Sequence, residues 1–251
     1  MIQHGEAGPD VTILLLTATI DPGDTPLVAR RDPAVRLADY QRGLRAWLTT
    51  GVVRKVVFYE NSGHDISTLE RIARDFPQVE VEFHSFRGNQ SGAERGKGYP
   101  ELLGIARMLE QSALLQAGAR IAKCSGRLTV SNARSLFAQF EPMKFDIMCT
   151  FRRNFTFADS RFFVASREFL ADFLVPRIAM IDDNRGVFFE HALACAATRA
   201  LSEGRQWRPF PEFVDVHGIS GTFGVSQTFG LRRRLLETLY HRLGNFLNAR
   251  P

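Results

Sequence analysis

Cysteine is scarce in this 251-residue chain. Cys124, Cys149 and Cys195 are odd in number, far apart and in no Cys-x-x-Cys. That pattern excludes a disulfide framework and a cysteine zinc site, and it fits a reduced cytosolic protein. No apolar run approaches the ~20 residues needed to span a bilayer. The opening Met1-Ile2-Gln3-His4-Gly5-Glu6 lacks a basic segment, so no signal peptide is expected. No Gly-x-Gly-x-x-Gly follows the first apolar run, so a nicotinamide dehydrogenase would lack its fingerprint. Gly92 to Lys97 imitates a P-loop but is one residue short between its glycines, and no Ser or Thr follows the lysine. A P-loop ATPase is therefore excluded. Internal repeats, low-complexity segments and a convincing linker are also missing, so one domain is expected.

What is present is an ordinary globular composition, 45% hydrophobic, long enough to bury a full core. The net charge of +5 comes from 32 basic and 27 acidic residues. Such a modest excess is compatible with phosphorylated small molecules, an anionic membrane surface, or nothing in particular. No long basic stripe interleaved with aromatics lies outside the C-terminus, so nucleic acid is not an expected partner.

The first half alternates strand and helix patterns, which predicts a mostly parallel sheet flanked by helices. Val11–Ile20 reads as a strand buried on both faces. Asp32-Pro33 starts a helix whose buried stripe is Leu37, Tyr40, Leu44, Trp47 and Leu48. Val52–Tyr59 is a second strand, and Ser67-Thr68-Leu69-Glu70 reads as a capping box for the next helix. Val79–Phe86 is a third strand; a polar, Gly-rich loop then leads to a helix from Pro100 to about Leu115. Ala119–Lys123 and Phe145–Phe151 are the fourth and fifth strands. Later, Arg161–Ala165 reads as a strand, Ser166 as the cap of a helix through Leu174, and Val187 to about Leu201 as another helix. Leu231–Leu247 is a basic amphipathic helix, suited to an anionic bilayer or to packing on its own domain.

Several polar clusters sit where strands end. Glu60-Asn61-Ser62-Gly63-His64-Asp65 follows the second strand, the end at which open α/β sheets bind ligands. There Asp65 or Ser67 would alternatively just cap the next helix. Lys123-Cys124-Ser125-Gly126-Arg127 follows the fourth strand: a lysine in an otherwise apolar strand needs a partner, and the pair reads either as an anion site or as an exposed basic turn. Lys97 precedes a helix N-terminus, where free N–H groups attract anions. Glu190 heads an apolar stripe with Leu193, Ala194, Ala197 and Leu201; the expected desolvation would suit a proton acceptor, and the helix dipole alone also favours a glutamate there. Asp159 and Arg161 flank a strand start, as acceptor contacts or as a surface ion pair. Asp182-Asp183 reads as a displaced metal pair or a helix-capping loop, and Asp215-Val216-His217 has weak metal-ligand spacing. Ser220-Gly221-Thr222 is a Gly-rich turn able to close over a ligand.

The Glu-Asn-Ser-Gly-His-Asp run and the order of these motifs resemble GT-A glycosyltransferases, especially the inverting family of bacterial polysaccharide synthesis. The likeness spans roughly residues 11 to 200 and is loose in each motif. It implies a GT-A-like, Rossmann-like single domain, with residues 10–132 as nucleotide-binding half, 133–230 as acceptor and catalytic half, and 231–251 as the amphipathic helix. It implies transfer of a sugar from a nucleotide-sugar to a glycan or lipid-linked acceptor, in the cytoplasm or at the inner face of the cell membrane. Thr17, Glu60, Asn61 and Ser62 would seat the nucleoside, Lys97, Lys123 and Arg127 the diphosphate, and Asp159 and Arg161 the acceptor, while Glu190 would take the proton if the reaction inverts. Phe188-Phe189-Glu190-His191 resembles the family's Glu-Asp pair, with His191 in the Asp position. The family's Asp-x-Asp is missing at residues 122–127. A divalent metal is therefore not indicated, and fixed cations would meet the diphosphate. A nucleotidyltransferase and a non-catalytic nucleotide-sugar binder remain as rivals.

Overall fold

The computed structural model describes residues 12–25, 28–219 and 236–239. Its strands and helices follow in the order β1 (Ile13–Ala18), α1 (Pro33–Thr49), β2 (Lys55–Glu60), α2 (Ser67–Arg74), β3 (Glu80–Ser85), α3 (Gly98–Gln111), α4 (Ala113–Ala117), β4 (Arg120–Ser125), β5 (Leu128–Val130) and α5 (Ala133–Phe140). Then come β6 (Ile147–Met148), β7 (Phe151–Arg152), β8 (Phe157–Ala158), β9 (Phe162–Ser166), α6 (Phe189–Ser202), β10 (Trp207–Arg208) and β11 (Val216–Gly218). Seven strands form one sheet in the order β10-β6-β9-β4-β1-β2-β3. Only β9 runs against its neighbours. The expected α/β class with a mostly parallel, helix-flanked sheet is therefore what the chain forms.

Alternation along the strands builds a core on each face. Ile13 and Leu15 of β1 join one cluster with α3 and α6, while Leu14, Leu16 and Ala18 join the other with α1 and α5. A strand buried on both faces needs such an unbroken apolar run. Edge strand β3 instead alternates glutamate with apolar residues. Its Glu82 turns to α4 and accepts hydrogen bonds from Ala113 N and Leu114 N at 3.2 and 3.0 Å. A charged edge also discourages pairing with another chain.

Helix α1 starts as the sequence predicts: Asp32 accepts from Ala34 N at 2.9 Å, with Pro33 next. Its Trp47 is buried, donates Nε1–H to Leu128 O at 2.9 Å and stacks near Phe162. Gly43 lets the helix lie directly on the turn after β4, since a Cβ there would meet Gly126 O at 2.1 Å. That contact fixes where the β4 turn presents Arg127.

Some local expectations change. The capping box at Ser67 does not form, because Asp65, nearer to the free donors, accepts from both Ser67 N and Ser67 Oγ at 2.9 Å. The helix from Pro100 begins earlier, at Gly98, and breaks at Ser112, whose hydroxyl accepts from Leu115 N to open α4. The fifth strand splits, with Ile147–Met148 in the main sheet and Phe151–Arg152 in a hairpin with β8. Ser166 does cap the next turn, through Phe169 N at 3.0 Å, but that turn is π-helical over Phe169–Leu174 and continues as a 3₁₀ stretch. Leu201 is 40% exposed and so leaves the buried stripe of α6. Ser220-Gly221-Thr222 and most of Leu231–Leu247 lie outside the described residues. Among the described residues, no helix is long and apolar enough to cross a membrane.

Candidate functional site at the strand switch point

The chain builds β1, β2 and β3 in one direction across the sheet, then returns to place β4 on the other side of β1. Such a reversal opens a crevice beyond the carboxyl ends of the two strands, the usual ligand position in open α/β sheets. A cavity of about 70 Å³ lies there, walled by Thr17, Asn61, Lys97, Glu101, Ser125 and Arg127, with Arg36 and Tyr40 from α1. Thr17, Asn61, Lys97 and Arg127, picked out from the sequence, are thus brought together.

The loop after β1 is tied down by the Glu-Asn-Ser run. Glu60 is fully buried, and its Oε1 accepts from Ile20 N and Ser62 N, both at 2.9 Å, and from Ser62 Oγ. Its Oε2 accepts from His64 N at 3.0 Å. Ser62 Oγ accepts from Asp21 N, Tyr40 Oη from Thr19 N and Asp21 Oδ1 from Gly23 N. Glu60 and Ser62 therefore do not line the cavity, contrary to the nucleoside role expected of them. A buried carboxylate demands donors, and the backbone of two turns supplies them. Asn61 does line it, with its Oδ1 accepting from Thr19 Oγ1 at 2.6 Å.

Lys123 and Arg127 differ sharply. Lys123 is 1% exposed and lies 2.7 Å from Glu101 Oε1 and 2.9 Å from Ser160 O. Burial pushes the Glu101 carboxyl up, but the Lys123 ammonium, with a further hydrogen bond from Thr17, outweighs it and holds the group below its ordinary value. The lysine's charge is thus matched inside the protein, and a direct diphosphate contact gives way to that pairing. The guanidinium of Arg127 stands 5.5 Å from the Tyr40 ring centroid. Its Nε and Nη1 are buried with no hydrogen-bond partner among the described residues. Nearby carboxylates are engaged, Glu101 with Lys123 and Asp39 with Arg30 and Arg42. Arg36 adds a second guanidinium, spent on backbone carbonyls of residues 19, 20 and 30. Burial lowers its pKa most; Tyr40 opposes this, and the neighbouring Arg127 charge lowers it further. Two adjacent guanidinium groups, one with unused buried donors, have the chemistry to receive an anion.

The helix N-terminus at Lys97 already holds an anion of its own. Asp183 Oδ2 accepts from Lys97 N and Gly98 N at 2.9 and 3.2 Å. Gly96, at φ +93°, makes room, since a Cβ would fall 2.4 Å from Asp183 Cβ. Asp183 thus caps α3 across 85 residues rather than the helix that follows it, while Asp182 caps its own turn through Asn184 N. Burial raises the Asp183 pKa, against the lowering effect of these bonds. The backbone N–H of Lys97 is therefore not open to phosphate, though the residue lines the cavity.

Glu190 stands in the first turn of α6, half-buried, and accepts from Ser160 Oγ at 2.7 Å. Thr17, Glu101, Lys123, Ser160 and Glu190 thereby form a continuous polar chain leading away from the cavity. On either side of Ser160, Asp159 and Arg161 form a bidentate ion pair at 2.5 and 2.8 Å. Burial raises the Asp159 pKa, but Arg161 prevails and holds it low. His191 Nδ1 accepts from Phe188 N at 3.0 Å, so it closes the helix start. Asp215 and His217 contact each other at 3.1 Å, with Ser131 also on the aspartate. Among the described residues, no group of three or more His, Cys, Asp or Glu is placed to hold a metal. With Glu101 bound to Lys123, the cavity's donor set does not fit a divalent ion. All three cysteines are free, and burial pushes Cys124 and Cys149 up to about 12.

Arg36, Asn89 and Glu101 belong to the cavity but were not singled out as site residues, and Tyr40 was read only as core. Helical spacing places Arg36 four residues before Tyr40, beside the buried stripe, which is the only hint of its position.

No protein-family model matches the chain, and no curated protein does. Solved structures do resemble it. The inositol-1-phosphate CTP transferase of T. maritima is 14% identical, with 80% of this chain and 85% of that one covered and a TM-score of 0.45. A cytidylyltransferase of Leptospira borgpetersenii is 14% identical over 82% and 77%, with a TM-score of 0.45. A proposed nucleotide-diphospho-sugar transferase of Desulfovibrio desulfuricans G20 is 8% identical over 79% of each chain, with a TM-score of 0.46. At such identities the chemistry has to rest on the residues of the site itself.

Proposed function

We propose that the chain is a transferase using a nucleotide-linked donor, and that the group it moves is the sugar of a nucleotide-sugar. The observation carrying this reading is Arg127, which lines the switch-point cavity and whose Nε and Nη1 are buried without a hydrogen-bond partner among the described residues. Its planar fork suits a phosphate, and a leaving diphosphate gains charge that fixed cations stabilise. Lys97 adds a second positive charge on the same wall. The partly open cavity of about 70 Å³ seats one anionic group, and the rest of a donor would extend outward from it. Thr17 and Asn61 would then hold the nucleoside. In the transfer, the acceptor hydroxyl oxygen bonds to the anomeric carbon as the carbon–oxygen bond to the diphosphate breaks. The electron pair leaves with the nucleoside diphosphate, and Glu190 takes the hydroxyl proton. The acceptor would be a glycan or a lipid-linked sugar.

Nucleotidyl transfer is the second reading. A triphosphate cradled by the loop after β1 would rest on backbone N–H groups. Here the N–H groups of Thr19, Ile20, Asp21, Gly23 and Thr25 are already bonded within the protein. That favours side-chain recognition of a diphosphate.

Thermal-shift titration with nucleoside diphosphates, their sugars and nucleoside triphosphates, each with a chelator, tests the choice. A diphosphate or its sugar is expected to stabilise the protein, and Arg127→Ala to remove the effect. No stabilisation by any of them would end the proposal. Release of pyrophosphate from a triphosphate and a sugar phosphate would establish the second reading instead.

A further inference from the structure

A second and larger cavity, about 420 Å³, opens between the β7–β8 hairpin, β10 and the Asp159–Arg161 segment. Phe151, Phe155, Phe162 and Trp207 supply its aromatic walls, and Arg152 and Arg153 stand at its rim. The hairpin is held in an uncommon backbone, with Arg153, Asn154 and Phe155 at φ of 50°, 54° and 66°. Three successive residues with side chains in the left-handed region are disfavoured, so the turn persists against local preference. It carries Phe155, 49% exposed, to within 4.9 Å of Phe151 and 6.4 Å of Trp207 between ring centroids. A large aromatic left half in water beside further rings forms a stacking platform.

The polar groups make this platform more than an apolar patch. The Asp159–Arg161 ion pair brings polar edges to the wall, and Thr150 and Asn154 add neutral groups. Arg153 lies 4.8 Å over Phe157, and neither Arg152 nor Arg153 forms an ion pair among the described residues. The lining carries Arg152, Arg153 and Arg161 against Asp159 and Glu237. With rings for an apolar face and polar groups for hydroxyls, this excess of one positive charge suits a sugar that bears a negative charge. An acyl chain would use none of the polar groups. Ser160, between Asp159 and Arg161, also joins this wall to Glu190 and, through Lys123, to the switch-point cavity.

We infer that this cavity binds the terminal pyranose of an acidic glycan, one carrying a carboxylate or a phosphate, with the ring stacked on Phe155 and its edge against Trp207. Its role as the acceptor rests on the sugar-transfer reading, whereas the binding itself does not.

Trp207 reports on the site directly, because the other tryptophan, Trp47, is wholly buried in the core. Fluorescence titrations with oligosaccharides ending in glucuronate, in a phosphorylated glucose or in plain glucose, and with uridine monophosphate, would test the inference. Saturable change is expected with the two acidic ends, about tenfold tighter than with glucose. The relative strength of the two identifies the anion. The double variant Arg152→Ala, Arg153→Ala should lose that tenfold preference, and Phe155→Ala should weaken both neutral and acidic ligands. Phe155 is exposed, so this variant is expected to fold; calorimetry can replace fluorescence where Trp207→Phe serves as control. Equal affinity for glucose, preference for the nucleotide, or no saturable change would overturn the inference. A nucleotide thermal shift that fails while the Trp207 titration succeeds would remove the sugar-transfer reading and leave this site standing.

Discussion

Lys123 inside β4 and Arg127 just past its end carry the same charge four residues apart, yet the fold treats them in opposite ways. Lys123 is packed between Phe163 and Phe189 and given a carboxylate at 2.7 Å. Arg127 is brought to a cavity with two buried nitrogens left without partners among the described residues. A buried ion pair is weak evidence for function, since each charge is needed to tolerate the other. An unpartnered buried donor is stronger evidence, because no hydrogen bond in the fold repays its desolvation. Basic residues near a strand end are therefore not a single class. The paired one supports the sheet, and the unpaired one points to a ligand.

The largest effect should come from breaking the paired side. Lys123→Met leaves the Glu101 carboxylate beside an apolar core, and a loss of about 3–5 kcal/mol in unfolding free energy is expected. Adding Glu101→Leu should recover much of it, because the orphaned charge goes too. Urea unfolding of the single and double variants would check this; equal loss in both would show that packing, not charge, holds the strand. On the unpaired side, Arg127→Met should leave stability unchanged or raise it by up to about 1 kcal/mol, while nucleoside diphosphate affinity falls about 10- to 100-fold. If Arg127→Met destabilises as strongly as Lys123→Met, the contrast between the two fails. Smaller again is Glu60→Gln, which keeps the shape but weakens bonds to the Ile20, Ser62 and His64 N–H groups. A loss of about 1–2 kcal/mol is expected, with faster amide exchange at residues 20, 62 and 64.

How far the sequence disclosed this arrangement follows from the range of the forces involved. The class of fold was legible, because alternation and apolar runs report burial directly: Leu14, Leu15 and Leu16 had to lie between two layers. Helix α1 was legible for the same reason, down to its Asp32-Pro33 start. The gathering of Thr17, Asn61, Lys97 and Arg127 was legible as polar residues at strand ends, which a parallel sheet collects on one side. Partner choice was not. That Glu60 turns inward to the β1 loop, that Asp183 caps a helix 85 residues upstream, and that Glu101 meets Lys123 are contacts between distant segments. Residue type announces the need for a partner and says nothing about which one answers it. Hence Lys123 was recognised as needing a pair, and Arg127 received the same reading although its circumstances differ.

The finest test of the comparison uses pH, through two carboxyl groups whose environments act in opposite directions. Glu101 is held below its ordinary pKa once the Lys123 charge overcomes burial. Its contribution is complete above the unfolded value and disappears as pH falls through the lower folded value. Asp183 is raised, chiefly by burial. Its contribution is complete below the unfolded value and disappears as pH rises through the higher folded one. From about pH 5 to about pH 3, wild-type protein should lose stability through Glu101 and be partly protected by Asp183. The Lys123→Met, Glu101→Leu variant should therefore show a shallower acid decline than wild type. Asp183→Asn, which keeps an oxygen for Lys97 N and Gly98 N, should show a steeper one. Urea midpoints measured across that interval would separate the two slopes. A decline of the same steepness in all three proteins would mean that neither carboxyl is coupled to folding as its surroundings imply, and that other acids govern the acid limb.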